Sequence, residues 1–202
     1  VLVDSFLNMG RSVGARQESA RSANPLTGLP GNVEIERTIL DRLRSGSAFA
    51  VLYCDLDNFK AYNDCYGFAR GDEVILFTRD CLAKAAATVA SGCFLGHQGG
   101  DDFVLICGAE EWEGVASSFV ALFDHGIGRF YNETDRLNGY ILSRDRKDRE
   151  QRFPLMTVSV AAVSNQHRRF ESYGEIVSVV SEVKRMVKGK SGSGYAIDRR
   201  SE

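Results

Sequence analysis

The sequence predicts an α/β (α+β) domain with a central, mostly antiparallel sheet of about five strands flanked by helices. Three observations predict it. Ala48–Cys54 is an unbroken apolar run of strand length, and Leu155–Val163 repeats the pattern far downstream; such runs suit strands covered on both faces. Two shorter apolar runs, Cys93–Leu95 and Phe103–Ile106, flank Gly99-Gly-Asp-Asp-Phe103, the pattern of a β-hairpin with a glycine turn. Stretches of helical spacing separate these strands. Helices interspersed with few strands, one hairpin among them, point to a sandwich of ferredoxin-like or palm type.

Bulk composition fits that class. The chain has 202 residues, 44% hydrophobic and 26% charged, enough for one generous domain and an appendage. A net charge of −2 leaves no electrostatic footprint for nucleic acid, so no such partner is expected. Five cysteines, at 54, 65, 81, 93 and 107, form no C-x-x-C pair. Dispersed in apolar segments, they read as reduced, buried thiols of a cytoplasmic chain without a zinc site. No apolar stretch is long enough to span a bilayer, so direct membrane contact is not expected from this chain, whatever anchors a parent protein. The chain starts at Val1, which suggests a piece of a longer protein.

Taken in order, residues 1–23 are polar with scattered Leu2, Phe6, Leu7, Met9 and Val13 and read as a helical linker. The turn-forming stretch Asn24-Pro-Leu-Thr-Gly-Leu-Pro-Gly-Asn32 breaks any helix and opens the domain, 24–202. Asn32 is the expected N-cap of a helix carrying Val33, Ile35, Ile39, Leu40 and Leu43 and ending at Gly46. The first strand ends in Asp55-Leu56-Asp57. A short helix around 58–66, a turn at Gly67 and a helix over about 71–90 precede the hairpin. Residues 111–131 place Trp112, Val115, Phe119, Leu122 and Phe123 on one helical face. Residues 132–153 are charged without an apolar period and are expected as an exposed excursion. A strand at 155–163, a helix at 173–188 and a short strand at Tyr195–Ile197 complete the chain.

Asp55 and Asp57 stand at the C-terminal end of a buried strand, where open α/β sheets place ligand sites. Two residues apart, they share a side and can both face the hairpin turn. Oxygen ligands at such a rim favour Mg²⁺. Asp55 is read as a metal ligand; for Asp57, metal binding and capping of the next helix both stand. That helix start, Asn58-Phe59-Lys60, offers backbone N–H groups and a positive charge to a phosphate. Asn63 and Asp72 match the donors on a guanine edge, or else act as caps or surface residues. At the hairpin, Gly99 and Gly100 allow close backbone approach, while Asp101 and Asp102 add carboxylates.

Four blocks together resemble the GGDEF domain, the catalytic domain of diguanylate cyclases: Asn24-Pro-Leu-Thr-Gly-Leu-Pro30, Asp55-Leu-Asp-Asn-Phe-Lys-Ala-Tyr-Asn-Asp64, Gly71-Asp-Glu-Val-Ile75 and Gly99-Gly-Asp-Asp-Phe103. The resemblance runs from about residue 24 to the C-terminus. It implies condensation of two GTP into cyclic di-GMP with release of pyrophosphate, assisted by Mg²⁺, with Mn²⁺ as an alternative. Carried over by position, Asp55, the Leu56 carbonyl and Asp101 hold metal, and Asp55, Lys60 and Asp101 are catalytic. Asn58, Phe59 and Lys60 meet the phosphates, with Lys184 and Lys188 as substitutes for the missing Arg, Gly99 and Gly100 bind substrate, and Asn63 and Asp72 meet guanine. For the two lysines, a solvated basic helix end is the alternative. One site holds one GTP, so the resemblance implies a homodimer, with residues 1–23 as the stalk from an upstream sensory region.

The chain also departs from the pattern. Asp102 replaces Glu, Phe68 replaces a common His, and no Arg follows Lys184, Lys188 and Lys190 in the phosphate-binding slot. His97 and Asn24 stand where an Arg and an Asp are usual; if those pair in relatives, both halves are neutral here. The product-binding Arg-x-x-Asp position reads Ala90-Ser-Gly-Cys93, so no product inhibition is expected there. Two functions follow: an active cyclase, or a catalytically inactive GTP-binding regulatory module.

Overall fold

The computed structural model describes residues 23–89, 92–144, 150–166 and 168–200. The expected linker at 1–22, and Ala90 and Ser91 of the product-binding position, lie outside them. The elements are α1 (Asn32–Ser45), β1 (Phe49–Asp57), α2 (Phe59–Tyr66), α3 (Phe68–Ala86), β2 (Phe94–Gly99), β3 (Asp102–Gly108) and α4 (Trp112–Ile127). A 3₁₀ turn (Gly128–Phe130), α5 (Glu133–Asn138), β4 (Tyr140–Arg144), β5 (Glu150–Pro154), β6 (Thr157–Ser164), α6 (Tyr173–Lys188) and β7 (Gly194–Ile197) follow.

Five strands form one sheet in the order β2-β3-β1-β6-β7. β1 pairs antiparallel with β3 and β6, β2 with β3, and only β7 runs parallel to its neighbour. The predicted mostly antiparallel α+β sandwich is the observed fold.

β1 divides two cores by its own alternation. Ala50, Leu52, Cys54 and Leu56 pack with Tyr62 of α2, Val74 and Leu82 of α3, and Phe119 and Phe123 of α4. Phe49, Val51 and Tyr53 pack on the other face with Ile35 and Ile39 of α1 and with Ile176, Val179, Val180, Val183 and Val187 of α6. A pleated strand turns successive side chains to opposite faces. Asp55 and Asp57 therefore continue the Phe49, Val51, Tyr53 series onto the α6 side. On α6, Ile176 and Val180 are buried at four-residue spacing, and the same stripe continues through Lys184 and Lys188.

Several local expectations need correction. Gly31, not Asn32, is the N-cap of α1, with no side-chain cap, and Asn32 is the first helical residue. Residues 132–153 are organised rather than a bare excursion. Asn132 caps α5 by accepting from Asp135 N at 2.8 Å, and β4 and β5 form a separate two-stranded ribbon. Ile141 and Ser143 point inward and Leu142 outward; one short inward-facing alternation among many charges was too weak a signal to read. Cys54, Cys81 and Cys107 are buried, but Cys65 is exposed and Cys93 half-buried. Among the described residues no helix is long and apolar enough to cross a membrane.

β2 crosses close beneath α1. A Cβ added to Gly96 would lie 2.5 Å from Ile35 Cγ1 and 3.1 Å from the Pro30 carbonyl oxygen, and that carbonyl accepts from His97 N at 2.8 Å. Gly96→Ala is predicted to destabilise the fold by about 1–3 kcal/mol through overpacking. The check is a lower urea midpoint at unchanged m-value; an unchanged midpoint would mean the α1 contact yields freely.

Candidate functional site

The site begins where β1 ends. Register sets Asp55 directly opposite Asp102 on β3 and opposite Ser159 on β6, with Asp57 opposite Thr157. Two carboxylates facing each other across a ladder repel and are destabilising unless a cation intervenes. Lys184 supplies that cation: its Nζ lies 2.7 Å from Asp55 Oδ2 and 2.7 Å from Asp102 Oδ1. Lys188, one turn on, ion-pairs with Asp55 Oδ1 and reaches Asp57 Oδ1 at 3.5 Å. Asp57 Oδ2 accepts from the hydroxyls of Thr157 at 3.0 Å and Ser159 at 2.7 Å. Asp57 is thus tied to β6 and does not cap α2, whose cap position, Asn58, makes no side-chain cap bond. Burial would pull the Lys184 pKa down, but its hydrogen bonds to Asp102 and Asp55 outweigh that and hold it above the usual lysine value. The ammonium therefore stays charged at neutral pH.

The hairpin turn is built from Gly99 at φ 133° and Gly100 at φ 58°, backbone angles that side chains rarely adopt. A Cβ at either glycine would meet nothing within 4 Å, so the turn borders open space. Asp101 at its tip is half-buried. Burial and the nearby Asp55 charge hold its carboxyl above the usual range.

The loop leaving β1 is strained. Asn58 has φ 65°, the left-handed region that costs a non-glycine residue about 1–3 kcal/mol, and it starts α2. Lys60 on that helix is exposed and pairs with Asp64 at 2.6 Å. Asn63 turns instead toward α3: its Oδ1 is buried without a hydrogen-bond partner. A Cβ on Gly71 would fall 1.9 Å from that oxygen, so residue 71 must lack a side chain for Asn63 to sit there. Asp72, the next residue, is exposed.

The structure thus brings together Asp55, Asp57, Asp102, Lys184 and Lys188 at one point, and Asn63 with the Gly71-Asp72 step at another. Among the described residues Lys60 pairs with Asp64 and not with the acids at the end of β1. Lys184 and Lys188, expected at phosphate, contact the carboxylates. Thr157 and Ser159 are additions to the expected site; their hydroxyls, at alternate positions of the strand that begins beside Asp57, are the signal that the sequence offers.

Comparison with known proteins matches residues 23–119 to the family described as "Diguanylate cyclase, GGDEF domain". Over these residues the chain is similar to a GGDEF domain. It is 37% identical over 90 residues to the bifunctional diguanylate cyclase/cyclic di-GMP phosphodiesterase MucR of Pseudomonas aeruginosa, covering 43% of this chain and 13% of that protein. It is 30% identical over 101 residues to diguanylate cyclase DgcP of the same organism, covering 48% of this chain and 15% of that one. The chain therefore spans only a small part of these relatives' length. Among solved structures, the GGDEF domain of DgcB from Caulobacter crescentus in complex with c-di-GMP superposes with a TM-score of 0.62 at 19% identity, over 87% of this chain and 95% of that one. The S helix-GGDEF-EAL structure of LapD from Vibrio cholerae gives 0.68 at 16% identity, over 96% and 41%. At these identities the structures establish the fold.

A GGDEF domain implies divalent metal. Among the described residues no three His, Cys, Asp or Glu side chains converge as a ligand set. Asp55 and Asp102 converge instead on the Lys184 ammonium. A divalent ion about 4 Å from that ammonium would meet roughly 8 kcal/mol of repulsion at an effective dielectric of about 20. As arranged, the residues fit an ammonium, and a divalent ion fits only if Lys184 moves.

The GGDEF hairpin is also held from below. His97 is buried and stacks on Phe103 with ring centroids 4.3 Å apart. Its Nε2 lies 3.0 Å from the Gly100 carbonyl, and its Nδ1 lies 3.0 Å from the Thr27 hydroxyl. The carbonyl only accepts, so Nε2 carries the proton and Nδ1 of the neutral ring accepts from Thr27. Asn24 Oδ1 accepts from Leu26 N at 3.0 Å and Thr27 N at 3.1 Å. Asn24 and His97 therefore meet through Thr27, and both are uncharged.

Burial lowers the His97 pKa below its ordinary value, so below about pH 6.5 the unfolded chain binds a proton that the folded chain resists. His97's contribution to stability is complete above about pH 6.5 and declines as pH falls toward the lowered value. Urea unfolding from pH 7 to 5.5 is predicted to show falling stability, flattened in His97→Gln. Parallel pH profiles for the two proteins would contradict this assignment.

Proposed function

We propose that this chain is a guanine-nucleotide-binding module of the diguanylate cyclase family, acting mainly in regulation, with weak or absent turnover to cyclic di-GMP. The observation that carries the reading is Asn63. A buried amide oxygen without a donor costs about 1–3 kcal/mol, and such orphans mark a missing partner. Asn63 sits beside the side-chain-free Gly71 and one step from exposed Asp72. Together they present acceptors suited to the N1–H and N2–H₂ donors of guanine rather than to adenine. The strained Asn58 and the first backbone N–H groups of α2, with Lys60 nearby, suit the phosphates.

Restricted turnover is supported by the acid cluster. Asp55, the carboxylate most needed for chemistry on a triphosphate, is neutralised by two lysines, and the shorter Asp102 is bound to one of them. A domain of this kind would report nucleotide occupancy to neighbouring parts of a longer protein through the region that precedes residue 24, in the cytoplasm.

Asp101 favours a second reading, active cyclase chemistry. Its pKa is raised at an open hairpin tip, which suits a carboxylate that takes a proton from an attacking 3′-hydroxyl. In that reading two copies face each other, each holding one GTP.

Calorimetric titration with GTP and ATP, followed by mass spectrometry of a forced dimer incubated with GTP and Mg²⁺, tests the proposal. GTP is predicted to bind in preference to ATP, with Asn63→Ala weakening it about threefold to tenfold. The forced dimer is predicted to yield little cyclic di-GMP, and Asp102→Glu to raise the yield. Failure to bind GTP would overturn the proposal. Turnover by the forced dimer on the order of 1 s⁻¹ would establish the cyclase reading instead.

A further inference from the structure

We infer that Lys184 is the resident cation of this site, standing between Asp55 and Asp102 in place of a divalent metal, so that nucleoside triphosphate binds without a metal ion. The inference rests on the nucleotide-binding reading above and deepens it.

Four features of the fold carry it. First, the register makes the cation necessary: Asp55 and Asp102 face each other across β1 and β3, where unbridged like charges destabilise the ladder. Second, Lys184 Nζ lies at 2.7 Å from an oxygen of each carboxylate, the position of a bridging ion. Third, the helix delivers it. Ile176 and Val180 are 0% and 3% exposed, so packing fixes the rotation of α6 and aims the next members of that stripe, Lys184 and Lys188, at the strand end.

Fourth, a second ammonium and two hydroxyls crowd the neighbouring oxygens. Lys188 ion-pairs with Asp55 Oδ1, which has no hydrogen-bond partner, and Asp57 is held by Thr157 and Ser159. The Asp55 side chain is only 8% exposed, which leaves little room for the waters that Mg²⁺ retains when it binds. Lys188, at 41% exposure, keeps an open side from which an ammonium can also reach a phosphate oxygen. Nucleotide charge is then met by fixed lysines rather than by an ion brought with the substrate.

The alternative is that Lys184 swings aside for metal, and two measurements separate the two. Mn²⁺ binding to the chain is read by electron paramagnetic resonance for wild type and Lys184→Met. GTP affinity is read by calorimetry in Mg²⁺ and in EDTA. Wild type is expected to bind Mn²⁺ at least about tenfold more weakly than Lys184→Met. GTP affinity in EDTA is expected to stay within about threefold of that in Mg²⁺. Wild type binding Mn²⁺ as tightly as the variant, or GTP binding only with Mg²⁺, would overturn the inference. If GTP binds in neither buffer, the nucleotide reading falls, while the Mn²⁺ comparison still decides the role of Lys184. If Lys184→Met does not fold, Lys184→Gln replaces it, and the wild-type measurement in EDTA needs no variant.

Discussion

Two ammonium groups on one helix meet three carboxylates at the end of the central strand, and the rest of the site is arranged around that meeting. The carboxylates gather because of register. Asp55 and Asp102 are opposite residues of paired strands, and Asp57 follows Asp55 on the same face. The backbone ladder holds the Cα atoms of Asp55 and Asp102 opposite each other. Charge must come from elsewhere, and α6 brings it along the stripe that buries Ile176 and Val180. The same packing that seals one core therefore determines which cation the acids see.

The hairpin depends on a second, uncharged support. Gly99 and Gly100 give a turn with no side chains to stiffen it, and that turn carries Asp101 and leads into Asp102. Rigidity comes from beneath, through the stacked His97 and Phe103 and the line from Thr27 through His97 to the Gly100 carbonyl. A neutral chain of this kind places no buried charge beneath the hairpin and avoids its desolvation cost. It also frees the hairpin from any long-range electrostatic tie to the Asn24 turn, leaving Lys184 as the cation that bridges Asp102 to Asp55 among the described residues.

Much of this was legible in the sequence because it follows from periodicity. The buried β1 run, the hairpin, the α6 boundaries and the gathering of the acids at a strand end all express spacings of two or of three to four residues. The joint occurrence of the four motif blocks identified the family that comparison then matched. What the sequence hid depends on pairing across long separations. That Lys184 bridges Asp55 and Asp102 requires the β1–β3 register and the rotation of α6 together, and neither is written locally. The α5 helix and β4–β5 ribbon were hidden for another reason. A two-stranded ribbon buries so little, chiefly Ile141, that its alternation vanishes among charged residues. Asn32 was misassigned because glycine serves as an N-cap with no side chain to announce it.

The resulting picture is a GGDEF fold whose strand-end acids meet its own lysines and whose Asn63 keeps an unmet acceptor beside Gly71. In the proposed reading recognition and chemistry are separated: the first uses Asn63, Asp72 and the α2 start, the second needs Asp55 released. The most direct test is nitrogen-detected magnetic resonance of the lysine ammonium groups, assigned by Lys184→Gln, with Mg²⁺ added to saturation. A Lys184 ammonium held by two carboxylates exchanges slowly with water, so its signal is predicted to be visible and to stay in place throughout the titration. Loss or displacement of that signal as Mg²⁺ is added would contradict the account.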